Sequence, residues 1–477
     1  MTGTILAIDQ GTSGTKAVVV DPEGTVCGLA EVGLRPQYKP GGLVEQDPGE
    51  LLDSVLQAGQ AALAEAGRPV DGVAMTNQGE TVLAWDPATG QPLSPMLVWQ
   101  DGRAASVCQP LAGDAAWVAD RTGLVLDPYF SAPKMAWLRQ NVTRDGVVTT
   151  SDSWIIHHLS GQFVTDAATA GRSLITGLDT ADYDPELLAL FGLTDETLPT
   201  IVANDQVVGT TSAFGPELPL GGLIVDQQGA LLAEACFEAG QAKCTFGTGA
   251  FFLTNLGRNP TRSSGGLVSC VAWQVDDQVT YCSDGQVYTA ASAVRWLQDI
   301  GLITGPTDLD KYWQPDTGGV ICVPALAGLA APWWRSEATA VWRGMTLSTS
   351  REQLVSAMVQ GLAAQVAELA DLVAADIGAP LTRLRVDGGL TRSRSFMQAV
   401  ADLVQVPIDV YPSAHATPLG AVALMRKALQ PGLTLARATV DWEPSHSFDP
   451  AWSPEAAGEF RAAWRQTVDL SLAGGER

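Results

Sequence analysis

Residues 4–32 read TILAIDQGTSGTKAVVVDPEGTVCGLAEV. Two apolar runs flank a Gly/Thr/Ser turn, and a DPEG turn leads into a third. The pattern predicts a three-stranded meander. The first turn, Asp9 to Lys16, joins glycines that admit a close backbone approach to three hydroxyl side chains and a lysine. Such a turn either cradles phosphate oxygens on successive N–H groups or is a plain hairpin. It is not a Walker A loop, because GxxxxGK[ST] occurs nowhere in the chain.

Outward from this stretch, DPGELLDSVLQAGQAALAEAG at 47–67 predicts a helix, with a DPxE start, apolar residues at 3–4 spacing and a terminal glycine. PVDGVAMTNQGETVLAWD at 69–86 predicts a strand, a polar tip and a second strand. The order returns later. AKCTFGTGAFFLTNLG at 242–257 reads strand, Gly/Thr turn, strand. Residues 351–379 read as a long amphipathic helix. LTRLRVDGGLT at 381–391 reads as a strand ending in a Gly pair. Val-Asp-Gly even recurs at the helix-to-strand passages, at 70–72 and 386–388. The repetition is either coincidence among common α/β units or a duplicated α/β architecture with a cleft between its halves.

The chain has 477 residues, which favours two large domains over one core. We place them at 1–230 and 231–477, because PELPLGGLIVDQQ at 216–228 crosses from one half into the other. A formal net charge of −24 argues against nonspecific nucleic-acid or anionic-membrane binding, which needs basic patches. No apolar run approaches the roughly 20 residues of a membrane span, and no signal peptide is recognisable. The seven cysteines are scattered without a CxxC pair, as reduced thiols of a cytoplasmic protein are.

Asp226, followed by Gln227 and Gln228, ends an apolar run and opens a helix pattern. A carboxylate at the C-terminal end of a strand stands where α/β sheets bind ligands. It either takes a proton from a substrate hydroxyl or caps the helix. Trp99, Tyr129 and Phe251 offer apolar faces, and Asn77, Gln78 and Glu80 offer hydrogen bonds. Together they suit a small polyol or sugar; singly, each aromatic is better explained by core packing. Phe246-Gly247-Thr248-Gly249 forms a second Gly/Thr turn. Two such turns across a cleft would clamp a polyphosphate.

In this order the motifs resemble the FGGY carbohydrate kinases, and within them the glycerol kinases more than the xylulose kinases. AIDQGTSGTKAVV resembles the first phosphate loop. MTNQGETVLAWD followed by MLVWQDGR resembles the substrate-binding stretch. Residues 129–141 and 340–360 fit the two family signatures, and DQQGAL, FGTGAF, PALAGLAAPWW and RVDGG complete the set. The resemblance implies an actin-like (ribonuclease H-like) duplicated two-domain α/β ATPase fold with a central cleft. The cleft would close on ATP, Mg²⁺ and a sugar or polyol. It implies Asp226 as general base, with Gln78, Gly79, Glu80, Trp99, Tyr129, Gln227 and Phe251 around the substrate. Gln228 would help order the base or a metal-bound water. Gly11, Thr12, Ser13 and Lys16 would meet ATP from one side, and Thr248 and Gly249 from the other. Ala291, Arg295, Gly388, Gly389 and Ser393 would meet the nucleotide. Asp9, through water, and Asp226 would serve the metal. A homo-oligomer, dimer or tetramer, is implied too.

Departures from the family pattern bear on the substrate. Gly79 precedes Glu80 where glycerol kinases carry arginine, so a guanidinium is expected to be missing and space to be left beside the substrate. That opens a longer polyol or a ketose such as xylulose or ribulose beside glycerol. Lys16 keeps the charge of a common arginine without its fork. Arg295 replaces a glutamine, and Val225 a glycine. A reading of another class is a non-catalytic actin-like clamp or a sugar sensor. Asp226, Gln227, Trp99 and Tyr129 speak against it, since a clamp needs no polyol pocket.

Overall fold

The computed structural model describes residues 3–474. The opening stretch forms strands Ile5–Gly11, Gly14–Val20 and Val26–Gly33, paired antiparallel in turn. Gly72–Asn77 then adds parallel to the first strand, and Leu218–Val225 adds parallel to it. The second half repeats this plan. Ala242–Phe246 pairs antiparallel with Ala250–Gly257, which pairs antiparallel with Gln278–Val287. Leu384–Asp387 lies parallel to Ala242–Phe246, and Ile408–Val410 lies parallel to Leu384–Asp387. Five strands in one order, twice, make the duplication a property of the topology. Each sheet gains edge strands of its own.

The helices start and stop where their caps dictate. Asp47 accepts from the Glu50 N–H at 3.1 Å, Pro48 follows, and Gly67 ends helix Pro48–Ala66 in the left-handed region. Ser350 and Gln353 form a reciprocal capping box for helix Arg351–Ile377. Among the described residues that helix alone is long and apolar enough to cross a membrane. It lies mostly buried in the core of the C-terminal sheet.

Strand alternation sends Leu6, Ile8 and Met75 to one face, against Leu51, Val55 and Ala58 of helix Pro48–Ala66. Ile5, Ala7 and Ala74 go to the other face. Their partners there include Leu419 and Ala421 to Met425 of helix Ala416–Leu429. That helix belongs by sequence to the C-terminal half and by packing to the N-terminal sheet. The same core takes in Ala230 to Ala233 and, from the second sheet, Leu253, Val268 and Cys282. Helix Asp226–Ala233 is therefore wedged between the sheets, and its first residue faces the cleft.

Candidate active site

The two Gly/Thr turns border one small cavity of about 210 Å³, with Thr12 and Ser13 on one side and Thr248 and Gly249 on the other. The first hairpin closes at the Gly11–Gly14 pair. Thr12 is not a free hydroxyl: it donates to Gln78 Oε1 at 2.8 Å and accepts from Trp99 Nε1 at 2.9 Å. The first turn is thus tied to the wall of the small cavity. Lys16 stands opposite Asp9 in strand register, and both border a larger cavity of about 700 Å³. Thr245, Asp387, Gly388 and Gly389 border it from the C-terminal sheet. Gly388 must be glycine. Its φ is +95°, and a Cβ would lie 2.4 Å from the Phe246 carbonyl oxygen.

Asp226 follows directly on strand Leu218–Val225 as the first residue of its helix. Its Oδ1 accepts the Gln227 N–H at 2.7 Å, so it does help the helix start, while still bordering the small cavity. Burial, and then the nearby charge of Asp9, push its carboxyl up to about 6. The helix behind it is fixed by a glycine contact. A Cβ at Gly420 of helix Ala416–Leu429 would sit 2.0 Å from the Gly229 carbonyl oxygen.

Trp99, Tyr129 and Phe251 meet edge to face, with Trp99 5.5 Å from Tyr129 and 6.5 Å from Phe251. They form one wall of the small cavity. Gln78, Gly79 and Glu80 form another. Glu80 is held at φ +56°, a strained conformation for a residue with a side chain, of the kind concentrated at binding sites.

The N-terminal domain of the FGGY family of carbohydrate kinases matches residues 4–232, and its C-terminal domain matches residues 242–429. The chain belongs to this family. It is an ATP-dependent phosphotransferase with an alcohol group as acceptor. This kinase is 39% identical to a glycerol kinase of Alkalilimnicola ehrlichii over 97% of each chain. It is 38% identical to one of Thermus brockianus over 98% of each. The structure of Plasmodium falciparum glycerol kinase with ADP superposes with a TM-score of 0.91, at 30% identity and 98% coverage of both chains. A ligand-bound xylulose kinase of Lactobacillus acidophilus shares the fold alone, with a TM-score of 0.88 at 20% identity over 98% of this chain and 97% of that one. The actin-like fold expected from the motifs is therefore the fold of this kinase.

One expectation needs correction. A guanidinium does stand beside Gly79: that of Arg172, just past the short helix Ala167–Ala170. Its Nε would lie 3.8 Å from a Cβ at Gly79. Nε donates to Glu80, and Nη1 donates to Asp284 Oδ2 at 2.8 Å. Sequence reading missed it because Arg172 is 92 positions from Glu80 and 112 from Asp284. Lys134 was missed as well, although it lies inside a quoted signature. It is fully buried, and its Nζ donates to the carbonyls of Pro128, Tyr129 and Phe130, holding the loop that carries Tyr129. Lys243, also fully buried, donates to Gln227 Oε1 at 2.7 Å.

Other expected residues sit elsewhere. Gln228 is fully buried, turns its Nε2 to Cys270 and borders neither cavity. The Ser393 hydroxyl donates to Asp310 Oδ1 at 2.8 Å and caps helix Arg394–Val404. The Ala291 N–H donates to the Gly247 carbonyl at 3.0 Å, which braces the second turn, and Arg295 is exposed. Ser393, Ala291 and Arg295 do not border either cavity. All seven cysteines are free thiols. Among the described residues no group of three or more His, Cys, Asp or Glu side chains could hold a metal by itself.

Proposed function

We propose that the kinase phosphorylates a hydroxyl of glycerol or of a slightly longer neutral polyol or ketose, with Asp226 as general base. The observation that supports this reading is the position of Asp226. It borders the small aromatic-walled cavity while lying close enough to Asp9, in the larger cavity, to feel its charge. An acceptor in the first cavity and a nucleotide in the second meet at this carboxylate.

In the proposed reaction the acceptor oxygen bonds to the γ-phosphorus and the bond to the β,γ-bridging oxygen breaks. The hydroxyl proton passes to Asp226, and ADP leaves. Such transfer depends mainly on positioning and charge neutralisation. Lys16 and the N–H groups of the two turns would neutralise phosphate oxygens. Gln227, held by Lys243, and Glu80, held by Arg172, would orient the acceptor. The aromatic wall would shed water, which otherwise competes as acceptor.

Asp9 and Asp226 fit Mg²⁺, which takes one or two carboxylates together with substrate phosphates. The charge of Asp9 raises the Asp226 carboxyl, and a divalent cation held by these two acids would relieve that repulsion. When bound it would offset charge on the phosphates. Gly388 and Gly389 are proposed nucleotide contacts.

The test is ADP release from ATP–Mg²⁺ across glycerol, erythritol, pentitols, xylulose, ribulose and dihydroxyacetone, beside a blank without acceptor. One acceptor well above the blank supports the reading. A panel no faster than the blank overturns it and favours a sensor or clamp.

A further inference from the structure

A guanidinium carries five N–H donors. In Arg172 the Nε donor goes to Glu80, and Nη1 goes to Asp284 Oδ2 at 2.8 Å and to Cys270 Sγ at 3.6 Å. Nη2 makes only a long contact, 3.4 Å, with the Tyr129 hydroxyl. Arg172 is 4% exposed and borders the small cavity beside Gly79. A buried charge so held costs a great deal of desolvation and recurs where planar, directed recognition is needed. Its two carboxylate partners lock its orientation, and its second Nη2 donor has no acceptor among the described residues.

The surrounding charge narrows what such a donor would meet. Glu80 and Asp284 together outnumber Arg172, and Asp284 Oδ1 is buried without a partner among the described residues. The Lys134 ammonium is turned to three backbone carbonyls. An acceptor bearing its own carboxylate would add a negative charge to a pocket that already has an excess of them, a form of exclusion by charge.

We propose that Arg172 is the specificity-determining residue of this site. Through Nη2 it donates to a hydroxyl of a neutral acceptor in the small cavity, beside the Tyr129 hydroxyl. The carboxylates that hold it exclude sugar acids. This deepens the kinase reading above and rests on it.

The experiment compares the full-length wild type, Arg172→Lys and Gly79→Ala on the neutral acceptors above and on gluconate. Kinetics for ATP and melting curves are measured alongside. In the wild type, gluconate should stay at the blank. Arg172→Lys keeps the charge but not the fork. It should raise KM for the preferred acceptor roughly ten- to hundredfold, with KM for ATP within about twofold. In Gly79→Ala the new methyl would press on Val225 Cγ2 at 3.1 Å and approach Arg172. It should impair acceptors longer than glycerol more than glycerol itself. If Arg172→Lys does not fold, Gly79→Ala and the gluconate comparison still decide. Unchanged acceptor KM in both variants overturns the proposal while leaving the kinase reading intact. So does gluconate turnover matching the neutral acceptors. A fall in ATP affinity and melting temperature without any selective acceptor effect would show a merely structural residue. A wild type that phosphorylates nothing overturns the kinase reading and this inference together.

Discussion

Lys243 Nζ donates to Gln227 Oε1 at 2.7 Å, so a lysine from the first strand of the C-terminal sheet reaches the residue beside Asp226. It also donates to Thr245 Oγ1 at 2.7 Å. The contact links the two halves at the base of the cleft. Lys243→Met should lower stability by about 2–3 kcal/mol, the range for losing hydrogen bonds to a buried charge. It should also raise the acceptor KM more than the ATP KM. Denaturant melts and steady-state kinetics check both.

Asp226→Asn should retain ATP binding and lose transfer by roughly 10²–10⁴-fold, the usual worth of a general base. Wild-type turnover would remove the base assignment. The wild-type rate should decline as pH falls through about 6, where Asp226 takes up a proton.

The same carboxyl makes a stability prediction of opposite sign. Its folded pKa is raised, so the folded state is penalised as pH rises from the ordinary aspartate value toward 6, and the penalty is constant above that. A rise to about 6 is worth at most about 3 kcal/mol. Asp226→Asn should therefore melt higher than wild type above pH 6, with the gap closing near pH 4. Melting curves at pH 4, 6 and 8 decide it.

Gly420→Ala would bring a methyl within 2.0 Å of the Gly229 carbonyl. The two helices must then move apart, at about 1–3 kcal/mol. Because the displaced helix begins at Asp226, kcat should fall although residue 420 touches no substrate. A loss of stability with unchanged kcat would show that the helix N-terminus is held by its strand alone.

Lys16→Met should raise KM for ATP roughly tenfold or more, since the proposed charge-assisted contact to phosphate would be lost. The acceptor KM should change little. Initial rates at varied ATP test this.

The sequence by itself determined the local elements and the turns. Alternation, caps and glycines set the strands around Asp9 and Asp387 and the helices after Asp47 and Ser350, because these depend on neighbours within a few positions. It also placed Asp226, Trp99, Tyr129 and the two Gly/Thr turns in motifs whose order marks the family. Only the tertiary structure decided which groups meet. Helix Ala416–Leu429 crosses to the N-terminal sheet because its apolar face completes that core. Ser393 turns to Asp310, and Gln228 to Cys270, because buried polar groups must find partners that spacing does not reveal. Arg172 fills the place beside Gly79 because charges distant in sequence, Glu80 and Asp284, hold its guanidinium there. Pairing between such groups is a property of packing, and no local pattern encodes it.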